Sequence, residues 1–335
     1  MLRYKRSLPL LLAALCLALA LAAAGGEPAG AAPPQPTLFE WERGIALRLP
    51  KEPASAMYLW FYEWNMFEAM EPGQHTHGAF KLERSVNPEG ADAVINSPAL
   101  RLTVRAVPGG AELLLRVTNL TAHDWPEIAG IIPCWNPGRV EGTDPSNPAA
   151  LNRNFSDPGR GKTFFLSAAG LTPLSSREIH FNDSLRGAID RASDRGSFVF
   201  SNKWPTSAVN AAAGLLVRES EDGRWVTGIA WDDYLSVQGH NPWSCMHACI
   251  RVGPLKPKQS KTVRGKLYLL PGARQECLAR FCEDFHWSSG FESPFSAPVD
   301  SFFNRVWAQS FRAAQVERAL RGEARAATAV AKVKK

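Results

Sequence analysis

Apolar and polar side chains alternate with a period of two along much of residues 38–288. That spacing places every second residue on one face of a β-strand. Leu100, Leu102 and Val104 share a face, as do Leu113, Leu115 and Val117, with Pro108-Gly109-Gly110 between the two runs. The glycines supply the positive φ of a tight connection, so the runs form a hairpin. A second hairpin is expected from 213–218 and 225–231, turning at Glu221-Asp222-Gly223. A further strand spans 262–270, where Val263, Gly265, Leu267 and Leu269 alternate with Thr262, Arg264, Lys266 and Tyr268. Residues 133–161 read as a long loop, punctuated by Asn136-Pro137-Gly138, Asp144-Pro145, Asn147-Pro148 and Asp157-Pro158-Gly159. No convincing amphipathic helix precedes residue 299. Beyond it, Val299, Phe303, Val306, Trp307 and Ser310 recur at helical spacing. The expected fold class is therefore all-β: one large antiparallel β-sandwich over 38–288, followed by a C-terminal helix and basic tail in 289–335.

Composition agrees with this outline. With 45% hydrophobic and 21% charged residues in 335, the chain is neither disordered nor a polytopic membrane protein. Its 25 prolines and 26 glycines suit a fold with many turns. The net charge of +6 is concentrated at the ends: residues 1–25 contribute three positive charges and 301–335 a net six, so 26–300 carries a net −3. A body without a basic excess argues against a nucleic-acid partner. The N-terminus has the plan of a secretory signal over 1–25: Arg3, Lys5 and Arg6, then an apolar run from Leu8 to Leu21, then Ala22-Ala23-Ala24. Residues 26–37 read as a flexible leader. Export to the periplasm or beyond is the expected localisation, and the basic tail offers a contact with anionic lipid or cell-wall polymer. Without Cys16 of the signal, five cysteines remain, an odd number that leaves at least one thiol outside any disulfide.

Several groups could carry chemistry. His75 and His77 are spaced to point the same way from a strand, and with His240 they could hold one divalent metal ion if their strands were neighbours. Glu83 follows at nearly the spacing of the cupin metal motif; the alternative is a pair of polar loop imidazoles. Cys245, His247 and Cys249 also share one strand face, fit either for zinc or for a core face with a satisfied histidine. His240 as acid or base, with Asp232 or Glu63 as its carboxylate partner, makes a catalytic set. Trp64, Trp135, Trp204 and Trp243 lie beside polar or loop residues, and flat aromatic faces stack on sugar rings; Arg153, Asn154 and Lys203 are candidate hydroxyl binders. The alternative for each tryptophan is the sandwich core.

The stretch Val117-Thr118-Asn119-Leu120-Thr121, then Trp125-Pro126, and later Gly265-Lys266-Leu267-Tyr268 before Pro271-Gly272, resembles the large β-sandwiches of galactose-mutarotase-like proteins. The resemblance spans most of 56–285. It implies a supersandwich fold and a sugar-related role, and it transfers no catalytic residue, because the family's His and Glu motifs have no counterpart here. Three functions follow as expectations: an exported carbohydrate-binding or carbohydrate-processing protein, a metal-dependent cupin-like enzyme on a small organic substrate, or a non-catalytic envelope-associated protein.

Overall fold

The structure, a computed structural model, describes residues 32–41, 44–50, 52–65, 82–138, 152–194, 205–239 and 244–286. Of residues 53, 62–65, 192–194 and 286 it describes the backbone alone. The chain divides into two compact units, Met1–Pro33 and Pro34–Lys335. All the elements named here belong to the second. The signal segment, His75, His77, Lys203, Trp204, His240, Trp243 and the tail from 287 onward lie outside the described residues.

Two antiparallel sheets form the body, as the alternation predicts. The seven-stranded sheet contains β1 (Thr37–Trp41), β2 (Gly44–Leu49), β3 (Glu52–Asn65), β8 (Gly130–Pro137), β15 (Met246–Arg251), β14 (Tyr234–Gly239) and β11 (His180–Phe181), in that spatial order. The nine-stranded sheet runs β10 (Gly170–Pro173), β9 (Thr163–Ser167), β12 (Gly214–Glu219), β13 (Trp225–Trp231), β16 (Ser260–Pro271), β7 (Gly110–Thr118), β6 (Leu100–Val107), β5 (Asp92–Asn96) and β4 (Glu83–Val86). The two expected hairpins are β6–β7 and β12–β13, and the further strand is β16, which pairs with both β13 and β7. In the β6–β7 turn Val107 faces Gly110, and Gly109 sits at φ 82°, where a side chain would be strained.

The interior between the sheets is built from one alternate set of each strand: Leu59, Ile131, Trp135, Met246, Ala248 and Val237 from one sheet, and Leu102, Leu115, Leu216, Trp231, Val263 and Leu267 from the other. A second apolar layer covers the far side of the nine-stranded sheet. Helix α2 (Arg274–His286) lays Cys277, Leu278, Phe281 and Phe285 on Leu215, Val217, Val226 and Tyr268. A third, smaller layer packs Leu185 and Ile189, the latter on helix α1 (Arg186–Asp194), on Ile132, Phe181, Leu235 and Cys249. Among the described residues no helix is long and apolar enough to cross a membrane.

Two sequence expectations need correction. Residues 133–137 are not loop but belong to β8, in the middle of the seven-stranded sheet with every residue buried. Burial on both faces erases the alternation that marks a half-exposed strand. Pro133 is tolerated there because the neighbouring strand β3 shifts register between Trp60 and Trp64, so the missing N–H falls beside a bulge. The 13-residue helix α2 precedes residue 299, and its stripe at 277, 278, 281 and 285 has ordinary helical spacing. The helix expected beyond 289 lies outside the described residues.

Candidate functional site

The face of the seven-stranded sheet turned away from the interior changes character from one edge to the other. Near β1 and β3 it is aromatic: Trp41 meets Tyr58 edge-on with ring centroids 5.3 Å apart, and Trp60 follows two residues along the same face. Toward β11 it is apolar, beneath Leu185 and Ile189. Between these ends it is polar, and strand register shows why. Trp60 stands opposite Cys134. The pairs Met246–Trp135 and Ile250–Ile131 put His247 opposite Cys134 on the other side, and His247 in turn faces Gln238. One row therefore crosses four strands: Trp60, Cys134, His247, Gln238. The adjacent row places Tyr58 and Cys245 on either side of Asn136.

Cys134 and Cys245 form a disulfide, with their Cα atoms 5.7 Å apart and 111 residues apart in sequence. Asn136 Nδ2 donates to Cys134 Sγ at 3.3 Å and points toward Cys245 Sγ at 3.9 Å. The two sulfurs and a ring nitrogen of His247 lie within 4.8 Å of one another, all buried. The sequence grouped Cys245, His247 and Cys249; register replaces Cys249 by Cys134, since Cys249 belongs to the apolar layer. Gln238 is fully buried. Its Oε1 accepts from Ser236 Oγ at 2.9 Å, while its Nε2 finds no hydrogen-bond partner among the described residues. An amide N–H buried without a partner costs on the order of 1–3 kcal/mol, so it marks a place where a ligand group would be welcome.

A buried arginine steadies one end of this face. Arg218 on β12 has no exposed surface. Its Nε donates to Thr163 Oγ1 at 2.7 Å, and Nη1 donates to the carbonyls of Phe155 and Ser244 at 2.9 and 2.6 Å. Burial pushes the guanidinium down to about 10, against the opposing pull of Asp157 and Glu221, so it remains charged at neutral pH. Through Ser244 it fixes the residue just before Cys245, and through Phe155 it holds the turn 153–155.

Of the residues selected from sequence, the side chains of Trp135, Arg153, Asn154 and Asp232 are described. Trp135 lies in the interior between the two sheets and donates from Nε1 to Thr227 Oγ1 at 3.0 Å, on the opposite side of the sheet from the polar row. Arg153 is exposed on the 153–155 turn. Asn154 is absorbed structurally: its Oδ1 accepts from the Asp222 N–H at 3.2 Å and its Nδ2 donates to the Ala54 carbonyl at 3.4 Å. Asp232 sits where the chain passes from β13 to β14, and both its oxygens accept from the Arg264 N–H at 3.0 Å. Burial, then the charge of Asp233, raises its pKa well above the ordinary carboxylate range. The strand carrying Glu63 and Trp64 lies three strand spacings from β14, about 14 Å. The partners expected for Asp232 are not described: His240 and the side chain of Glu63 lie outside the described residues. Asp233 next to Asp232 forms ion pairs with Arg251 at 2.8 Å and Lys261 at 2.7 Å.

A cleft of about 370 Å³ is lined by Ser167, Asn182, Asp183, Ser184, Asn210 and Tyr234 among others. Asn210 Nδ2 donates to Asp183 Oδ1 at 2.7 Å. Beside it His180 stacks on Phe165, 4.0 Å between centroids, with Nδ1 2.8 Å from the Val209 carbonyl. Burial lowers the pKa of His180, so the neutral ring donates through Nδ1. His180 and Gln238 carry no local motif, and Asn136 reads from sequence as a loop residue beside Pro137. Only cross-strand register joins the last two to His247.

No family model matches the sequence, and no curated protein matches it. Solved structures match it only weakly. A polysaccharide lyase matches with TM-score 0.32 and 9% identity over 76% of this chain. This chain spans about a third (35%) of the lyase. A galactose mutarotase-like protein from Lactobacillus casei ATCC 334 gives TM-score 0.35 and 11% identity, over 70% of this chain and 99% of that one. Another, from Clostridium acetobutylicum, gives 0.31 and 9% over 68% and 86%. Its own two antiparallel sheets make the protein a β-sandwich. What it does has to be read from its own residues.

Proposed function

We propose that this is an exported carbohydrate-binding protein, and that the sugar lies on the outer face of the seven-stranded sheet, along the row from Trp60 to Gln238. The observation that carries the reading is the buried Gln238 Nε2 without a partner, in one row with an imidazole and an indole. Carbohydrate recognition needs an aromatic plate for the apolar ring face and planar amides or imidazoles for the hydroxyls. Trp41, Tyr58 and Trp60 supply the first, and Asn136, His247 and Gln238 the second. Trp41 and Trp60 are partly exposed and form the entrance. Export rests on the N-terminal signal pattern.

The test is a glycan screen on the mature protein, followed by calorimetric titration of the best ligand into wild type, Trp60→Ala and Gln238→Leu. Each variant should lose about fivefold or more in affinity, since a hydrogen bond or a stacked ring is worth about 1 kcal/mol or more. Unchanged affinity in both variants overturns the placement. Absence of any glycan ligand overturns the function.

A further inference from the structure

We propose that the reduced protein holds one thiophilic d10 cation, copper(I) foremost, between Cys134 Sγ, Cys245 Sγ and a ring nitrogen of His247, and that the disulfide and the metal complex are alternative states of one site. The site shares Cys134, Asn136 and His247 with the proposed sugar row, but the metal assay reads it without any glycan, so either proposal can fail alone. The metal proposal rests on three observations. The three ligand atoms lie within 4.8 Å of one another on neighbouring strands, so one ion can reach all of them without moving the sheet. All three residues are buried, at 0%, 1% and 2% exposure, which protects a soft ion from water. The Asn136 amide donates to Cys134 Sγ at 3.3 Å and points at Cys245 Sγ at 3.9 Å. A donor aimed at two sulfurs stabilises them as thiolates, the form that binds metal.

Ligand type selects the ion. Two thiolates and an imidazole favour copper(I) or zinc over magnesium or calcium, which take oxygen. Structural zinc almost always takes four ligands. Three buried ligands suit copper(I) better. The interconversion balances as follows. A dithiol reductant gives two electrons and two protons to the Cys134–Cys245 bond, yielding two thiols and its own disulfide. Binding of the cation by the two thiols then releases those two protons.

The experiment uses the full mature chain, prepared oxidised and, separately, reduced with a dithiol under argon. Each is offered copper(I) as its acetonitrile complex or zinc chloride, desalted, and analysed for metal by mass spectrometry. Affinity is read by competition with a chromogenic copper(I) chelator. The reduced protein should retain one copper per chain and the oxidised protein none. Groups that only orient a metal ligand are worth about 10–100-fold in affinity, so His247→Gln and Cys134→Ser should each lose about 100-fold or more. Cys249→Ala and Cys282→Ser should bind as wild type does, because those thiols lie outside the cluster. Equal copper in the oxidised and reduced proteins, or full retention by Cys134→Ser, overturns the site. Retention of zinc without copper overturns the assignment of the ion. If Cys134→Ser does not fold, the comparison of oxidised with reduced wild type decides alone.

Discussion

Replacing Arg218 by methionine tests how the interior supports the face that carries the row. The guanidinium makes three hydrogen bonds of 2.6–2.9 Å to Thr163, Phe155 and Ser244, and no surface of the residue reaches solvent. A hydrogen bond from a charged donor contributes about 1.5–3 kcal/mol. Methionine fills much of the volume and regains the hydration cost of a buried charge, which offsets part of that loss. It leaves two buried carbonyls and the Asp157 carboxylate without their cation. The net expected loss is about 3–5 kcal/mol. For a domain of this size that lowers Tm by at least about 6 °C. Arg218→Lys should fall in between: it restores the charge but has no planar fork to reach three acceptors. Urea unfolding followed by tryptophan fluorescence measures both variants. Because Ser244 precedes Cys245, Arg218→Met should also weaken ligand binding. A methionine variant within about 1 kcal/mol of wild type would refute the reasoning, since the interior would then hold the charge at no net benefit.

Other consequences are independent of that one. Asp232 has a raised pKa in the fold, so the folded state holds this proton more tightly than the unfolded chain. Its contribution is fully present below the unfolded value of about 3.9 and is lost as pH rises through the folded value. Asp232→Asn, which keeps an acceptor for Arg264, should therefore gain stability relative to wild type as pH rises from 4 toward neutrality, seen in Tm against pH; a gap that closes as pH rises contradicts this. Removing the Cys134–Cys245 bond by Cys134→Ala/Cys245→Ala releases a 111-residue loop and should cost about 3–5 kcal/mol in urea unfolding. Gly265→Ala would put a methyl 2.4 Å from the Trp231 ring and should cost about 1–3 kcal/mol through overpacking; an unchanged unfolding midpoint would show that the ring can yield. Asp183→Asn, in the cleft beside Asn210, should leave glycan affinity unchanged, and a large loss would move the site to that cleft.

How much of this was legible in the sequence depended on exposure. Strands with one wet and one dry face, such as Leu100–Val107, announced themselves by alternation. Strand β8 was hidden because both its faces are buried and it contains Pro133. Helix α2 carries a true apolar stripe at 277, 278, 281 and 285, but it is one short helix after a long run of strands. Trp135 looked like a loop residue beside Asn136-Pro137, and in the fold it is interior by strand parity. His247 was seen within a strand, but its neighbours Cys134 and Gln238 are distant in sequence. Only the pairing of β8, β15 and β14 brings them together.

The most direct test of the sugar-binding row is the side-chain amide resonance of Gln238, identified by its loss in Gln238→Leu, followed by NMR as a glycan ligand is added. The account predicts that this Nε2 resonance shifts in step with the Trp60 indole N–H and saturates at one ligand per chain. A glycan that binds while both resonances stay fixed, and that shifts Asn210 instead, would contradict it.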